Sequence, residues 1–166
     1  RHRWILKDIL EPLYRLEKPV IAAVNGAAAG AGCNIALACD FIVASENASF
    51  IQAFAKVGLV PDLGGFYFLV RAVGVAMAKE LCFTARKVLA AEAREIGLVN
   101  RVVPHEELMP TARQLALQIA AASPTANAMT KKAREEKEFE SKVAAKLLAE
   151  KEVPVREWAR DNTFEL

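Results

Sequence analysis

The sequence has few residues that could form a disulfide framework or a metal site. It contains three cysteines and two histidines in 166 residues. The cysteines, Cys33, Cys39 and Cys82, are odd in number and show no C-x-x-C pairing, which indicates buried thiols in a reducing cytoplasm. His2 and His105 stand alone, and no His/Cys/Asp group has the spacing of metal ligands. We therefore expect a cytoplasmic protein without a bound metal.

Charge of one sign and long apolar runs are also scarce. The 22 basic and 20 acidic side chains are interspersed and give a net charge of +2, so nucleic acid is not an expected partner. The longest apolar run, residues 20–37, is broken by Asn25, Asn34 and several glycines, and this excludes a membrane span there. Residues 1–18 are charged throughout, and we expect no signal peptide.

The remaining pattern predicts one α/β body followed by a helical extension. The hydrophobic fraction of 54% is enough for one ordinary core. Residues 20–24 and 41–44 are short apolar runs typical of buried strands, and the helical pattern of Cys33–Cys39 between them predicts a parallel βαβ crossover. Residues 4–16 predict two short amphipathic turns or a kinked helix. The sequence also predicts helices over 66–83, with a break near Gly74, and over 91–97, 106–122 and 126–151, and a strand over 98–103.

A stretch of small residues, Asn25 to Gly32, is the first segment that could carry chemistry. It leaves the first predicted strand and enters a helix, so another group could approach its backbone and meet free N–H groups. Its glycines do not form G-x-G-x-x-G, which argues against a dinucleotide loop. The segment could bind an anion or oxyanion, or it could be a tight packing turn between strand and helix.

The second such segment places one carboxylate, Asp62, between Pro61 and the pair Gly64-Gly65 in apolar surroundings. A fixed loop of this kind can hold a carboxylate against a carbon atom of a substrate. Asp62 could equally cap the helix predicted to begin near Phe66, which is a common place for aspartate. Both interpretations remain open from the residues alone.

Three segments in order resemble the crotonase superfamily, the enoyl-CoA hydratase/isomerase family: KPVIAAVNGAAAGAGCNIALACDFIVAS, FIQAFAKVGLVPDLGG and LAAEAREIGLVNRVVP. The resemblance covers about residues 18–130. It implies an α/β fold with a crotonase-like ββα spiral core. Residues 1–104 would be the carboxy-terminal portion of that core and would lack its amino-terminal strands. They would also lack one of the two backbone N–H groups with which the family stabilises a thioester enolate. Residues 105–166 would be a helical carboxy-terminal extension that forms a homotrimer, or a homohexamer made of two trimers.

The resemblance also implies roles for individual residues. Members of the family bind acyl-CoA thioesters, so coenzyme A would be part of the substrate and no separate cofactor is implied. The backbone N–H of Ala31 would stabilise the enolate oxygen. The phrase Val-Pro-Asp-x-Gly-Gly is similar to the branch of ring-1,2-epoxyphenylacetyl-CoA isomerases, in which an aspartate at the position of Asp62 shuttles a proton. The implied substrate-binding residues are Gly30, Gly32, Asn34, Phe54, Gly64 and Gly65.

Three functions follow as hypotheses. Hydratases of the family carry two glutamates that activate water, and the corresponding residues here are Asn34 and Phe54, neither of which can act as a base. We therefore expect an enoyl-CoA isomerase in which Asp62 moves the proton. The alternatives are an enoyl-CoA hydratase of fatty-acid beta-oxidation and a non-catalytic acyl-CoA-binding subunit.

Overall fold

Two small sheets organise the chain. The computed structural model describes residues 6–132. Within that range, one sheet has the order β1-β3-β6 with parallel neighbours, and the other has the order β2-β4-β5, in which β4 and β5 are antiparallel. The strands are β1 Ile21–Val24, β2 Ala27–Ala29, β3 Phe41–Ser45, β4 Ser49–Ile51, β5 Lys87–Leu89 and β6 Arg101–Val103.

Helices surround these sheets. They are α1 Glu11–Arg15, α2 Ala31–Ala38, α3 Gly65–Thr84, α4 Ala90–Glu95 and α5 Leu108–Ala120, and residues 124–132 are also helical. A π-helical turn, Leu6–Leu10, precedes α1, and short 3-10 turns occupy Ala53–Val57 and His105–Glu107. The predicted break in the long helix is confirmed, because Gly74 in α3 has φ 78° and ψ 165°. Glycine adopts this conformation without the steric cost that a side chain would add.

The predicted parallel crossover is confirmed. β1 pairs with β3 from Ile21 opposite Phe41 to Val24 opposite Ala44, and α2 forms the connection between them. β3 is almost wholly buried, as expected for a central strand that is covered on both faces. The crossover places the start of α2 at Ala31, which belongs to the candidate site.

Some elements differ from the prediction. The sequence assigns no strand to residues 26–32, but Ala27–Ala29 forms β2, which pairs with Ser49–Ile51. A run of three alanines carries no alternating pattern, so only pairing with a distant segment makes it a strand. The strand predicted over 98–103 is confined to Arg101–Val103, because the backbone before it turns after α4.

The main apolar core lies between α3 and the sheets, and Phe50, Leu69 and Val88 are among its largest fully buried side chains. A second cluster joins α5 to the parallel sheet, where Leu108 and Leu115 pack against Val43. The amphipathic helix predicted over 106–122 therefore covers a sheet of its own chain. The domain boundary near Pro104 and the role of 105–166 in trimerisation stay predictions. Most of the helix predicted over 126–151, residues 133–151, lies outside the described residues.

A buried ion pair attaches the helical residues 124–132 to the body of the protein. The Lys131 ammonium donates to Asp40 Oδ2 at 2.8 Å and to the carbonyl oxygen of Lys18 at 2.9 Å. Asp40 Oδ2 also accepts the backbone N–H of Val20 at 2.8 Å. The side chains of Lys131 and Asp40 are only 5% and 15% exposed. The salt bridge and these two hydrogen bonds thus connect three segments that are far apart in sequence.

The cysteines give a direct test of the core. None of the three forms a disulfide, and burial raises the pKa of the Cys33 thiol from 9.0 to about 12. A raised pKa leaves less of the reactive thiolate at a given pH, about 10³-fold less for this shift. We expect iodoacetamide at pH 8 to leave Cys33 unmodified in the folded protein and to alkylate it rapidly in urea, as measured by mass spectrometry.

The half-buried Cys39 is the internal comparison for this experiment. Burial, followed by the charge of Asp40, also raises the pKa of Cys39, but its greater exposure gives the reagent access. Cys39 should therefore react before Cys33 in the folded protein. Equal rates for Cys33 in the folded and unfolded states would contradict the packing of α2 against the core.

Candidate active site

The start of α2 carries backbone N–H groups that have no acceptor within the helix. Gly30 caps this helix with φ 52°, which favours glycine, and its N–H donates to the carbonyl oxygen of Ile51 at 2.8 Å. The helix begins at Ala31, and the first amides of a helix have no acceptor within that helix. The positive end of the helix dipole lies at the same point. The Ala31 N–H thus has no acceptor within α2, and its role as an oxyanion donor stays a prediction.

Asp62 lies half-buried in the loop that precedes α3. Its Oδ1 atom is buried and has no hydrogen-bond partner among the described residues. The N-cap residue of α3 is Gly64, with no capping bond from a side chain. The alternative in which Asp62 caps this helix is thus not what the structure shows. An unpaired carboxylate oxygen can accept a proton, and the catalytic role of Asp62 stays a prediction.

The helix start and the Asp62 loop adjoin each other. Ala31 packs against an apolar cluster that contains Leu63, the residue after Asp62, together with Leu10 and Ala38. The carbonyl oxygen of Asp62 accepts a hydrogen bond from the side-chain amide of Asn34 at 2.9 Å, and Asn34 belongs to α2. The tertiary structure therefore brings the two predicted catalytic groups, which are 31 positions apart in sequence, onto contacting segments.

Two glycines shape the turn into α3. Gly64 has φ 68°, and a Cβ atom there would lie 2.9 Å from the ring of Phe68. A Cβ atom on Gly65 would lie 2.2 Å from the Asn34 side-chain nitrogen. Both residues therefore have a clear packing role. Contact of Gly64 and Gly65 with a substrate stays a prediction, as it does for Gly30 and Gly32.

The aromatic ring of Phe54 lies near the start of α2. Phe54 is buried, and its ring lies 3.7 Å from the point where a Cβ atom of Gly30 would be. Asn34 is completely buried, and both ends of its amide are engaged in hydrogen bonds. Phe54 thus provides a hydrocarbon surface and Asn34 a fixed amide. Neither residue has a carboxylate that could activate water.

Gln52 has a larger part in the site than the sequence reveals. The sequence allows it to be either a pocket residue or a solvated loop amide, but the structure buries it to 3% exposure. Its Nε2 atom donates to Asn34 Oδ1 at 2.9 Å and lies 3.5 Å from the Cys33 sulfur. The signal that could have indicated burial is its place in the apolar stretch Phe50 to Phe54.

Comparison with known proteins identifies the family. The family model described as enoyl-CoA hydratase/isomerase matches residues 3–162. The chain belongs to this family, which is part of the crotonase superfamily. It is 50% identical over 125 residues to the short-chain-enoyl-CoA hydratase of Clostridium acetobutylicum, an alignment that covers 75% of this chain and 48% of the relative. It is 49% identical over 122 residues to the carnitinyl-CoA dehydratase of Salmonella typhi, covering 74% and 47%.

Solved structures confirm the predicted crotonase-like fold. The monofunctional enoyl CoA isomerase of M. smegmatis superposes with a TM-score of 0.71 at 43% identity, covering 77% of this chain and 60% of that one. The enoyl-CoA hydratase of Bacillus anthracis gives 0.76 at 41% identity, covering 78% and 50%. Family members named as isomerase and as hydratase thus match with similar identity and similar TM-scores. The chain spans about half the length of the curated relatives it matches.

No helix within residues 6–132 has both the length and the apolar character needed to cross a bilayer. In the same range, no three or more His, Cys, Asp or Glu side chains come together in a group that could hold a metal ion.

Proposed function

We propose that this family member is an enoyl-CoA isomerase that shifts a carbon–carbon double bond by proton transfer through a thioester enolate. The observation that carries the proposal is the buried, unpaired Oδ1 of Asp62 on a loop bonded to the helix whose first amide is Ala31. A base beside an oxyanion donor is the combination that enolate chemistry requires. The substrate class is an acyl-CoA thioester, as the family indicates.

The reaction needs one carboxylate. Asp62 takes a proton from the carbon between the thioester and the double bond of a 3-enoyl-CoA, and the electrons move to the thioester oxygen. The N–H of Ala31 stabilises that oxygen while the charge is present. Asp62 then returns the proton to the far carbon of the original double bond, which gives the conjugated 2-enoyl-CoA. Proton and electrons balance without a cofactor.

Hydration is the second candidate, because the relative from Clostridium acetobutylicum with 50% identity is named a hydratase. A hydratase must activate water as well as stabilise the enolate. The apolar ring of Phe54 and the engaged amide of Asn34 argue against a water site of the two-glutamate kind. We therefore favour isomerisation.

Further details extend the proposal. We propose that the chain is closest to the ring-1,2-epoxyphenylacetyl-CoA isomerase-like branch, and the Val-Pro-Asp-x-Gly-Gly phrase supports this. We propose a homotrimer or homohexamer as the assembly, with residues 105–166 contributing to the contacts between subunits. A cytoplasmic location fits three cysteines that form no disulfide.

An absorbance assay with two substrates tests the proposed function. Mixing the purified protein with a 3-enoyl-CoA should raise the ultraviolet absorbance, because a conjugated 2-enoyl thioester forms. A hydratase would instead lower the absorbance of a 2-enoyl-CoA by adding water across the conjugated bond. Thioester binding by calorimetry with no absorbance change in either mixture would identify a binding subunit and would reject catalysis.

A further inference from the structure

Two buried amides connect the core to the Asp62 loop. Gln52 Nε2 donates to Asn34 Oδ1 at 2.9 Å, and Asn34 Nδ2 donates to the carbonyl oxygen of Asp62 at 2.9 Å. Gln52 and Asn34 are 3% and 0% exposed, so water does not compete for these bonds. The same carbonyl oxygen of Asp62 accepts the backbone N–H of Gly65 at 2.8 Å. The loop carbonyl is therefore held from two directions.

The two amides have a fixed direction. The Asp62 carbonyl can only accept, so Asn34 must turn its NH₂ group toward Asp62 and its oxygen toward Gln52. Gln52 must then turn its own NH₂ group toward Asn34, which is the arrangement observed. A hydrogen-bond acceptor in place of either NH₂ group would make two oxygens face each other in a buried site. Such an unpaired contact is costly.

Asn34 also connects the base to the oxyanion donor. It lies one helical turn after Ala31, and its backbone N–H donates to the carbonyl oxygen of Gly30 at 3.1 Å. Its side chain fills the space beside Gly65 so closely that a Cβ atom there would lie within 2.5 Å of the amide. The Asn34 side chain thus bridges the Asp62 loop and the helix start, beside the apolar cluster that contains Leu63.

The geometry points to Gln52 and Asn34 as positioning residues, which act through the Asp62 backbone to hold the Asp62 carboxylate at a fixed distance from the Ala31 N–H. This inference rests on the proposed function, because it assigns a purpose to the position of Asp62. Neither amide needs to touch the substrate. Misplacement of a catalytic group by about 1 Å can reduce a rate by about 10²-fold.

The experiment uses near-isosteric acids, Gln52→Glu and Asn34→Asp, which replace an NH₂ donor by an oxygen acceptor. We expect kcat for the 3-enoyl-CoA to fall about 10²-fold with KM changed less than about threefold, because positioning the base affects the chemical step more than binding. Lowering the pH should narrow the gap in kcat between Gln52→Glu and the wild type, since a protonated carboxyl group regains an O–H donor. The matched control is Gln118→Glu, the same replacement on the exposed side of α5, and it should leave kcat unchanged.

A second measurement does not depend on catalysis. Hydrogen exchange of the Gly65 amide, which donates to the Asp62 carbonyl, reports whether the loop is held. We expect the backbone amide of residue 65 to exchange faster in both Asn34→Asp and Gly65→Ala. In Gly65→Ala, the added methyl group displaces the Asn34 amide. Gly65→Ala reaches the same contact from the opposite side, so it tests the inference if one of the acidic variants does not fold.

The outcomes separate the inference from the proposed function. Lower kcat, steady KM and faster Gly65 exchange support the positioning role. The positioning role would be overturned if the variants showed unchanged exchange of the amide of residue 65, or faster exchange with unchanged kcat. A raised KM at unchanged kcat would overturn it as well. If the wild-type protein does not isomerise 3-enoyl-CoA, the proposed function fails, and the exchange measurement alone then decides whether the two amides hold the Asp62 loop.

Discussion

Replacing Asp62 by Asn should lower kcat/KM for isomerisation of a 3-enoyl-CoA by about 10²- to 10⁴-fold, the range that a positioned acid–base group contributes. Asparagine keeps the shape of the side chain but cannot accept and return a proton. The backbone contacts of Asp62 with Asn34 and Gly65 involve only its carbonyl oxygen, so the substitution leaves them in place. The absorbance assay measures the loss.

A surface carboxylate supplies the control for this prediction. Glu95→Gln, on an exposed residue at the end of α4, removes the same charge far from the site in sequence and should leave the rate unchanged. The Asp62→Asn protein should keep the wild-type urea midpoint and still bind the thioester. An Asp62→Asn protein with near-normal turnover would remove Asp62 from the mechanism and would leave the isomerase proposal without its base.

Replacing Lys131 by Met should lower the free energy of unfolding by about 3 kcal/mol, because the mostly buried Asp40 carboxylate loses the ammonium group that pairs with it. The Asp40 carboxylate is 15% exposed and would lose the ammonium at 2.8 Å. The Lys18 carbonyl oxygen would lose its donor as well. Urea unfolding followed by circular dichroism measures the change.

The neighbouring lysine is the matched control. Lys132 pairs with Glu17, but both side chains are more than half exposed, and an ion pair in water contributes little. Lys132→Met should therefore leave the urea midpoint almost unchanged. The double variant Asp40→Asn with Lys131→Met should be more stable than Lys131→Met alone, since a neutral amide costs less than a carboxylate in this mostly buried position once the ammonium is gone. Equal effects of the two single lysine variants would refute the distinction between buried and exposed pairs.

The sequence alone was sufficient for the features that depend on local pattern. The apolar runs beside Cys33–Cys39 predicted β1, α2 and β3 because a buried parallel strand needs hydrophobic residues on both faces. Gly74 predicted the break in α3, and the ordered motifs predicted the family. Asp62 was a candidate because it lies between Pro61 and the pair Gly64-Gly65, whereas the role of the Ala31 N–H was implied by the resemblance to the family.

Only the tertiary structure decided which groups are paired. The strand at Ala27–Ala29 exists because Ser49–Ile51 supplies its hydrogen bonds, and no local pattern encodes a partner that lies 22 positions away. Likewise, the unpaired Oδ1 of Asp62 and the burial of Gln52 are set by what other segments place around them. Sequence determines the backbone preferences of a loop and the chemistry of its side chains, but long-range packing determines which donors and acceptors meet.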